Sequence, residues 1–309
     1  MALLTVIRAG MLTTVQDLGR WGLQSRGVPV AGPMDEYSHR AANRLLGNPE
    51  TAAALEVTLM GPELEAAAGD VECAVTGAEF ELTVGFNPVP THARFILPAG
   101  ARLRFGRRSR GARAVLAVRG GFDVDAVFGS RATSLISRLG PFGGRALAAG
   151  DVLPVGVPDI EAEPHTPRPL PLPAGGARLR VIAGPHQERF TPAAYDRLFG
   201  SRFVVTPQSN RMGYRLDGPR LGHAAAADIL SDATPLGSLQ VPASGLPILL
   251  MADRQTTGGY PKIATVVSAD LPLAGQLAPG DWVEFVSCTR TAAVDALAAQ
   301  RRQLRPGVR

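Results

Sequence analysis

The groups most able to do chemistry are concentrated in Met251-Ala-Asp-Arg-Gln-Thr-Thr-Gly-Gly-Tyr-Pro-Lys-Ile263, directly after the apolar run Pro247–Leu250. The apolar run predicts a buried strand, and the stretch behind it is richer than a simple connection requires. Lys262 is the only lysine among 32 basic residues. With Arg254 it offers a point charge and a planar fork, which suit a developing oxyanion or a phosphate. Asp253 can orient Lys262 or act as a base. Tyr260 can donate a hydrogen bond, and Gly258-Gly259 can let backbone N–H groups approach an anion. Plainer readings stand beside these: an Asp253–Arg254 ion pair closing the loop, a Gly-Gly turn, and Tyr260 packed on a core edge.

Two other segments place polar groups in Gly/Pro frames. Ser209-Asn-Arg-Met-Gly-Tyr-Arg-Leu-Asp-Gly-Pro219 offers Arg211 for bidentate binding of a substrate carboxylate and Asn210 for hydrogen bonding. Thr13 to Arg20, continuing from Gly27 to Asp35, offers Gln16 and Asp17 as substrate contacts. Gln16, Asp17 and Arg20 also read as a hydrogen-bond network holding the first loop. Glu56, inside an apolar strand, calls for a buried partner such as Arg20 or Arg131.

Several chemistries are excluded. There is no GxxxxGK(S/T) phosphate loop and no GxSxG nucleophile elbow. The five histidines never fall at HxxxH or HxH spacing, so no metal site is expected. The sole lysine lacks the methionine flanks of a biotin carrier, so no covalently bound biotin is expected. Cys73 and Cys288 are far apart, which points to a reducing, cytoplasmic setting. Arg8 and Gly10 interrupt Leu3–Ile7, unlike a signal peptide, and no run nears the roughly 18 apolar residues of a membrane span. The net charge of +5 suits an anionic ligand. The densest basic run, Arg102 to Arg113, holds only Phe105 as an aromatic and so lacks a stacking platform for nucleic acid. It reads as a hairpin tip with a turn framed by Gly106 and Gly111.

These segments need a scaffold. The chain has 309 residues, with 35 Gly and 26 Pro, which favours many turns and short strands. Six prolines between Pro158 and Pro173 predict an extended linker at 157–176, separating domains 1–156 and 177–289, with a helix and tail at 290–309. In the first domain, strands are predicted at Leu3–Ile7, Leu55–Leu59, Val71–Thr76, Phe80–Val84, Arg102–Phe105 and Ala114–Val118. A helix capped by Asp35 buries Tyr37, Ala41 and Leu45 and ends at Gly47. Asn48-Pro49-Glu50 predicts a second helix start. In the second domain, strands are predicted at Arg178–Ile182, Phe203–Val205, Ser238–Val241, Ile248–Met251, Ala264–Val267 and Trp282–Phe285. Helices are predicted from Thr191-Pro192 to near Gly200 and over Thr291–Gln303.

The three polar segments, with Asn43-Arg-Leu-Leu-Gly-Asn-Pro49, Leu55-Glu-Val-Thr58, Gly120-Gly-Phe-Asp123, Gly129-Ser-Arg131 and Ala227-Asp-Ile229, make the chain resemble the family of the C-type subunit of 5-oxoprolinase. That family is also called allophanate hydrolase subunit 2, KipA-like, or the biotin-dependent carboxyltransferase domain family. Asn210 stands where the family form has Asp, keeping the hydrogen bonding without the charge. The resemblance implies a mainly β protein of two cyclophilin-like β-barrel domains with a few short helices. It implies one component of an amide-bond hydrolase, working with a KipI-like B-type component and an A-type component. Together they would open 5-oxoproline to glutamate with ATP (and Mg) in the complex. Two alternatives follow from the same family: a KipA-like regulator that antagonises a KipI-type kinase inhibitor, and a carboxyltransferase moving a carboxyl group from carrier-borne biotin to urea or a related amide.

Overall fold

The computed structural model describes residues 2–158 and 163–305. Alternating apolar residues between Gly/Pro turns make the chain mainly β, in two compact units. The first takes the described residues of Met1–Arg20, Ala31–Leu172 and Arg301–Arg309, the second those of Trp21–Val30 and Pro173–Gln300.

The first unit is built from β1 (Leu3–Arg8), β2 (Leu12–Gln16), β3 (Ala54–Thr58), β4 (Glu63–Ala68), β5 (Val71–Val84), β6 (Asn87–Val89), β7 (Arg94–Leu97), β8 (Arg102–Val118) and β9 (Val152–Pro154). They form one curled nine-stranded sheet in the order β2-β3-β8-β4-β1-β9, and β5 joins β8 to β6 and β7. Leu55, Val75, Leu103 and Leu116 lie in its core, wholly buried.

Two pairs of expected short strands are each one long strand here. Val71–Thr76 and Phe80–Val84 are parts of β5, and Arg102–Phe105 and Ala114–Val118 are the ends of β8. The basic run is therefore not a hairpin tip. Arg102 pairs with Glu65 at 2.7 Å and Arg104 with Glu63 at 2.9 Å on β4, and Arg107 with Glu81 at 3.2 Å on β5. These cross-strand charges favour the extended backbone. Gly111 (φ 71°) absorbs the register slip between β5 and β8 instead of turning the chain.

The helix Glu36–Leu45 forms as expected: Asp35 accepts from the Ser38 N–H at 2.9 Å, and Tyr37, Ala41 and Leu45 are buried. No helix starts at Pro49. Asn48 instead donates to Val118 O at 2.7 Å and accepts from the Gly120 N–H at 2.8 Å, which fixes the chain as a turn against β8. Within the expected linker, residues 159–162 lie outside the described residues, as do 306–309 of the tail. His165 N–H donates to Arg44 O and Tyr37 Oη–H to Arg168 O, so this Pro-rich stretch lies along the first unit.

The second unit is built from β10 (Gly176–Ala183), β11 (Phe203–Val205), β12 (Gly213–Asp217), β13 (Asp232–Ala233), β14 (Ser238–Gln240), β15 (Ile248–Leu250), β16 (Thr257–Gly258), β17 (Lys262–Val266) and β18 (Trp282–Ser287). Seven of these close a barrel in the order β10-β17-β14-β15-β12-β11-β18, while β13 and β16 form a separate ribbon. Leu179, Phe203, Leu239, Ile263 and Phe285 are buried. Thr191 caps the helix Pro192–Gly200, and Arg290–Gln303 forms the last helix.

His39 on the first helix is wholly buried, and burial drives its pKa down to about 4. The unfolded chain takes up that proton near pH 6.5 and the folded one only near 4. Stability is therefore lost as pH falls through this window, by about 3 kcal/mol for this group. Urea denaturation at pH 7 and pH 4.5 should show a smaller acid-induced loss in His39→Asn than in the parent.

Candidate functional site

Backbone hydrogen bonds bring the second and third polar segments together. Met251 N–H donates to Met212 O and Asp253 N–H to Arg211 O, both at 2.8 Å, so the loop leaving β15 lies along the turn entering β12. Their side chains then meet. Arg211 Nε donates to Asp253 Oδ2 and Nη2 to Oδ1, each at 3.1 Å, with both side chains almost completely buried. This two-bond fork is the strong form of the pair. It corrects three expectations. Asp253 does not orient Lys262, does not close the loop on Arg254, and is poorly placed as a base while it holds a guanidinium. Arg211, aimed at Asp253, is likewise not open to a substrate carboxylate.

Lys262 opens β17 and is only 1% exposed. Its Nζ donates to Asp232 Oδ2 at 2.8 Å, a half-exposed carboxylate on the β13–β16 ribbon. That bond holds the Asp232 carboxyl below the usual carboxylate range. The Lys262 backbone N–H donates to His186 Nδ1 at 3.2 Å, which leaves the proton of a neutral ring on Nε2, 4.0 Å from Asp232. Burial, then the Lys262 charge, lowers the His186 pKa, so the ring is neutral at pH 7. Gly184 lets β10 pass this close: a Cβ there would lie 2.1 Å from Lys262 O.

Arg254 is 9% exposed. Its Nε donates to Thr234 O at 2.7 Å, and among the described residues no carboxylate lies within 4.0 Å of its guanidinium. Burial lowers its pKa to about 10, which keeps it charged at neutral pH. A buried cation without a counter-ion is costly unless an anion or a polar ligand meets it.

The neighbouring Gln255 donates from Nε2 to Gln240 Oε1 at 3.3 Å, and Thr234 Oγ1–H donates to Gln255 O. Gln240, itself 1% exposed, stands opposite Lys262 in the β14–β17 ladder at a register shift. These two amides, with Asn210, Met212, Arg215 and Tyr260, line a cavity of about 210 Å³. Asn210 also closes its own turn by accepting from the Met212 N–H at 2.8 Å, and Tyr260 is 40% exposed at the rim.

Gly258 and Gly259 do not make a left-handed anion cradle, since neither has a positive φ. Gly258 pairs with Asp232 in the ribbon, and a Cβ on it would come within 2.6 Å of Gln240 Nε2. Its lack of a side chain makes room for that amide.

Of the first polar segment, Thr13 to Arg20 and Ala31 to Asp35 belong to the first unit, where a loop network is the structure seen, and Gly27 to Val30 to the second. Gln16 is buried and donates to Thr14 Oγ1 and Thr133 O, both at 3.0 Å. Asp17 accepts from Ser130 Oγ–H and Arg131 N–H at 2.6 Å and from Gly19 N–H at 2.8 Å. Arg20 donates to Val127 O and Ala132 O. Glu56 accepts from the Met34 N–H at 2.6 Å. Among the described residues, no group of three or more His, Cys, Asp or Glu side chains could hold a metal ion. No helix among them is long and apolar enough to cross a membrane.

The carboxyltransferase domain model, subdomain A and B, matches residues 26–287. The chain belongs to this carboxyltransferase-domain family. Within it, the chain is 41% identical to the C-type subunit of 5-oxoprolinase from Escherichia coli (strain K12), over 97% of this chain and 96% of that protein. It is 33% identical to the urea amidolyase of Saccharomyces cerevisiae, over 90% of this chain but 16% of that protein. The crystal structure of the K. lactis urea amidolyase superimposes with a TM-score of 0.92 at 31% identity, covering 98% of this chain and 20% of that one. In the amidolyases this family domain is therefore one portion of a much longer polypeptide.

Sequence reading missed Asp232, His186, Gln240 and Gln255. Asp232 and His186 sit 30 and 76 positions from Lys262, and no local spacing links them to it. Gln240 carries a usable signal: an amide inside the apolar run Ser238–Val241. Asp253→Asn would leave the Arg211 charge buried without that carboxylate, at a cost of about 3–5 kcal/mol. Chemical denaturation should show that loss, together with a smaller loss when Arg211→Met is added.

Proposed function

We propose that this carboxyltransferase-family chain is the C-type subunit of an ATP-dependent 5-oxoprolinase, working with a KipI-like B-type component and an A-type component. The net reaction takes 5-oxo-L-proline, ATP and two waters to L-glutamate, ADP and phosphate. One water opens the ring, and the other is consumed with the phosphoanhydride. The observation that carries this reading is the buried Arg254 guanidinium, next in sequence to a cavity lined by amides. The 41% identity, along both chains, to a 5-oxoprolinase component supports the choice of substrate.

A lactam is a poor electrophile because its nitrogen donates into the carbonyl. Gln240 and Gln255 can pair with its N–H and C=O, and Tyr260 can donate from the rim. Arg254, which precedes the lining residue Gln255, is the buried positive charge that this reading sets against the carbonyl oxygen as it becomes negative, where its strength is little screened by water. Lys262, held by Asp232, adds a second positive charge nearby. The described residues offer neither a glycine-rich phosphate loop nor an acidic cluster for Mg²⁺. ATP with its metal is expected in the complex of the three components, and no step is routed through it here.

The family match and the likeness to urea amidolyase favour a second reading, carboxyl transfer from carrier-borne carboxybiotin to a small amide. The carrier would be a separate domain or chain, because the lone lysine is buried against Asp232.

The chain should be purified with its A-type and B-type partners and assayed for ATP-dependent glutamate release. Arg254→Gln should lower kcat by about 10²-fold, the usual cost of losing one oxyanion donor. Absence of glutamate with all three components present, beside a working 5-oxoprolinase control, would overturn the reading. Carboxylation of urea by the same chain with a biotin carrier would favour the second one.

A further inference from the structure

The polar cavity does not end at Arg215. A second cavity of about 520 Å³ in the same unit is lined by Leu216, Pro242, Leu246 and Pro247, with Thr206, Asp217 and Ser244 among them. The two share Gln208, Arg215 and Ile248, so they are compartments of one cleft. The polar compartment alone, at about 210 Å³, has room for a single small ring. The apolar one falls inside the roughly 300–1,000 Å³ typical of small-molecule sites. A molecule confined to the polar end would leave that apolar wall facing water.

Arg215 stands at the junction. Its backbone is fixed on both sides, the N–H donating to Ser209 Oγ at 3.1 Å and the carbonyl accepting from Thr206 N–H at 2.9 Å. Its side chain is exposed, and among the described residues no carboxylate lies within 4.0 Å of its guanidinium. Two residues on, Asp217 lines the apolar compartment. The cleft therefore runs from paired amides, past a free cation, to a wall of Pro242, Leu246 and Pro247 that also carries Thr206, Ser244 and one acidic group, Asp217. That order fits an amide head, then a carboxylate, then an apolar limb, and it opposes a second negative charge on the limb.

Resting on the 5-oxoproline reading above, we propose that the cleft accepts 5-oxoprolyl dipeptides whose second residue is apolar. The lactam ring occupies the polar compartment beside the hydrogen-bonded pair Gln240 and Gln255. The dipeptide's C-terminal carboxylate meets Arg215, and the second side chain enters the compartment walled by Leu246 and Pro247. Free 5-oxoproline is then the smallest ligand of a longer site.

The test is equilibrium binding to the full chain, alone and with its partner components, by titration calorimetry. The ligands are 5-oxoproline, 5-oxoprolyl-leucine, 5-oxoprolyl-leucinamide and 5-oxoprolyl-glutamate. The leucine dipeptide should bind about tenfold or more tighter than 5-oxoproline, from burial of one aliphatic side chain. The amide and the glutamate dipeptide should each lose most of that gain. Leu246→Asp should bring the ratio of the two affinities close to one, and Arg215→Met should abolish the preference for the free acid over the leucinamide. Both positions are at least partly exposed, and circular dichroism with thermal melts will confirm that each variant folds. If 5-oxoproline binds and the leucine dipeptide binds no tighter, or if Leu246→Asp leaves the ratio unchanged, the dipeptide inference is overturned while the 5-oxoproline reading stands. If no ligand binds with all components present, both fall.

Discussion

The second unit is organised around buried positive charge. Arg211, Arg254 and Lys262 are each less than a tenth exposed, within one sequence segment and the turn it hydrogen-bonds. An unpaired buried ion costs several kcal/mol, so each cation dictates what surrounds it. Arg211 dictates Asp253, held in a two-bond fork. Lys262 dictates Asp232, which places a ribbon strand over the end of the barrel. Arg254, among the described residues, meets a backbone carbonyl at its Nε and no carboxylate. The stabilisation it lacks in the folded chain is what an anionic group, or an oxygen becoming one, would supply.

The barrel makes this arrangement possible because its strand ends can be brought unusually close. The β14–β17 ladder slips register between Leu239 and Gln240, and that shift sets a buried amide opposite the lysine. Gly184 and Gly258 lack the Cβ atoms that would hold β10 off β17 and the ribbon off Gln240. Here glycine acts through its missing volume. Neither residue has a positive φ, so an account based on backbone freedom would misplace both.

What was legible in the sequence follows from how local its cause is. The helix Glu36–Leu45 could be read because its cap, its four-residue apolar spacing and its terminating Gly47 are contained in one short segment. The barrel strands with apolar alternation were legible for the same reason. β8 was not, because Gly106 and Gly111 look like turn residues locally, while the carboxylates that hold the run straight come from β4 and β5. β12 was absorbed into a polar segment, although Tyr214 and Leu216 alternate inward. The dense segment 251–263 stands out in the sequence by its composition, and its partners do not. Asp253 took Arg211 across 42 positions, and Lys262 took Asp232 across 30. Charge pairing at that range is decided by topology.

The two carboxylates are not equivalent, and the difference bears on how the site can work. Asp253 is as buried as its partner, so the Arg211 fork is a fixed element: opening it would strand two charges. Asp232 is half exposed and sits on a ribbon of two residues a side, while Lys262 is almost completely covered. The Lys262 ammonium is therefore neutralised by a group that water can reach, whereas its own body is locked in the barrel wall. Any ligand anion that competes for this ammonium displaces a solvated carboxylate, which retains hydration when released. Competing for Arg211 would require unsatisfied buried charge. Of the three buried cations described in the unit, one is thus structural, one has a counter-ion that can be exchanged, and one, Arg254, has no carboxylate beside it. That grading lets buried cations be stable in the folded chain and still leaves one of them, Arg254, favouring negative charge beside it.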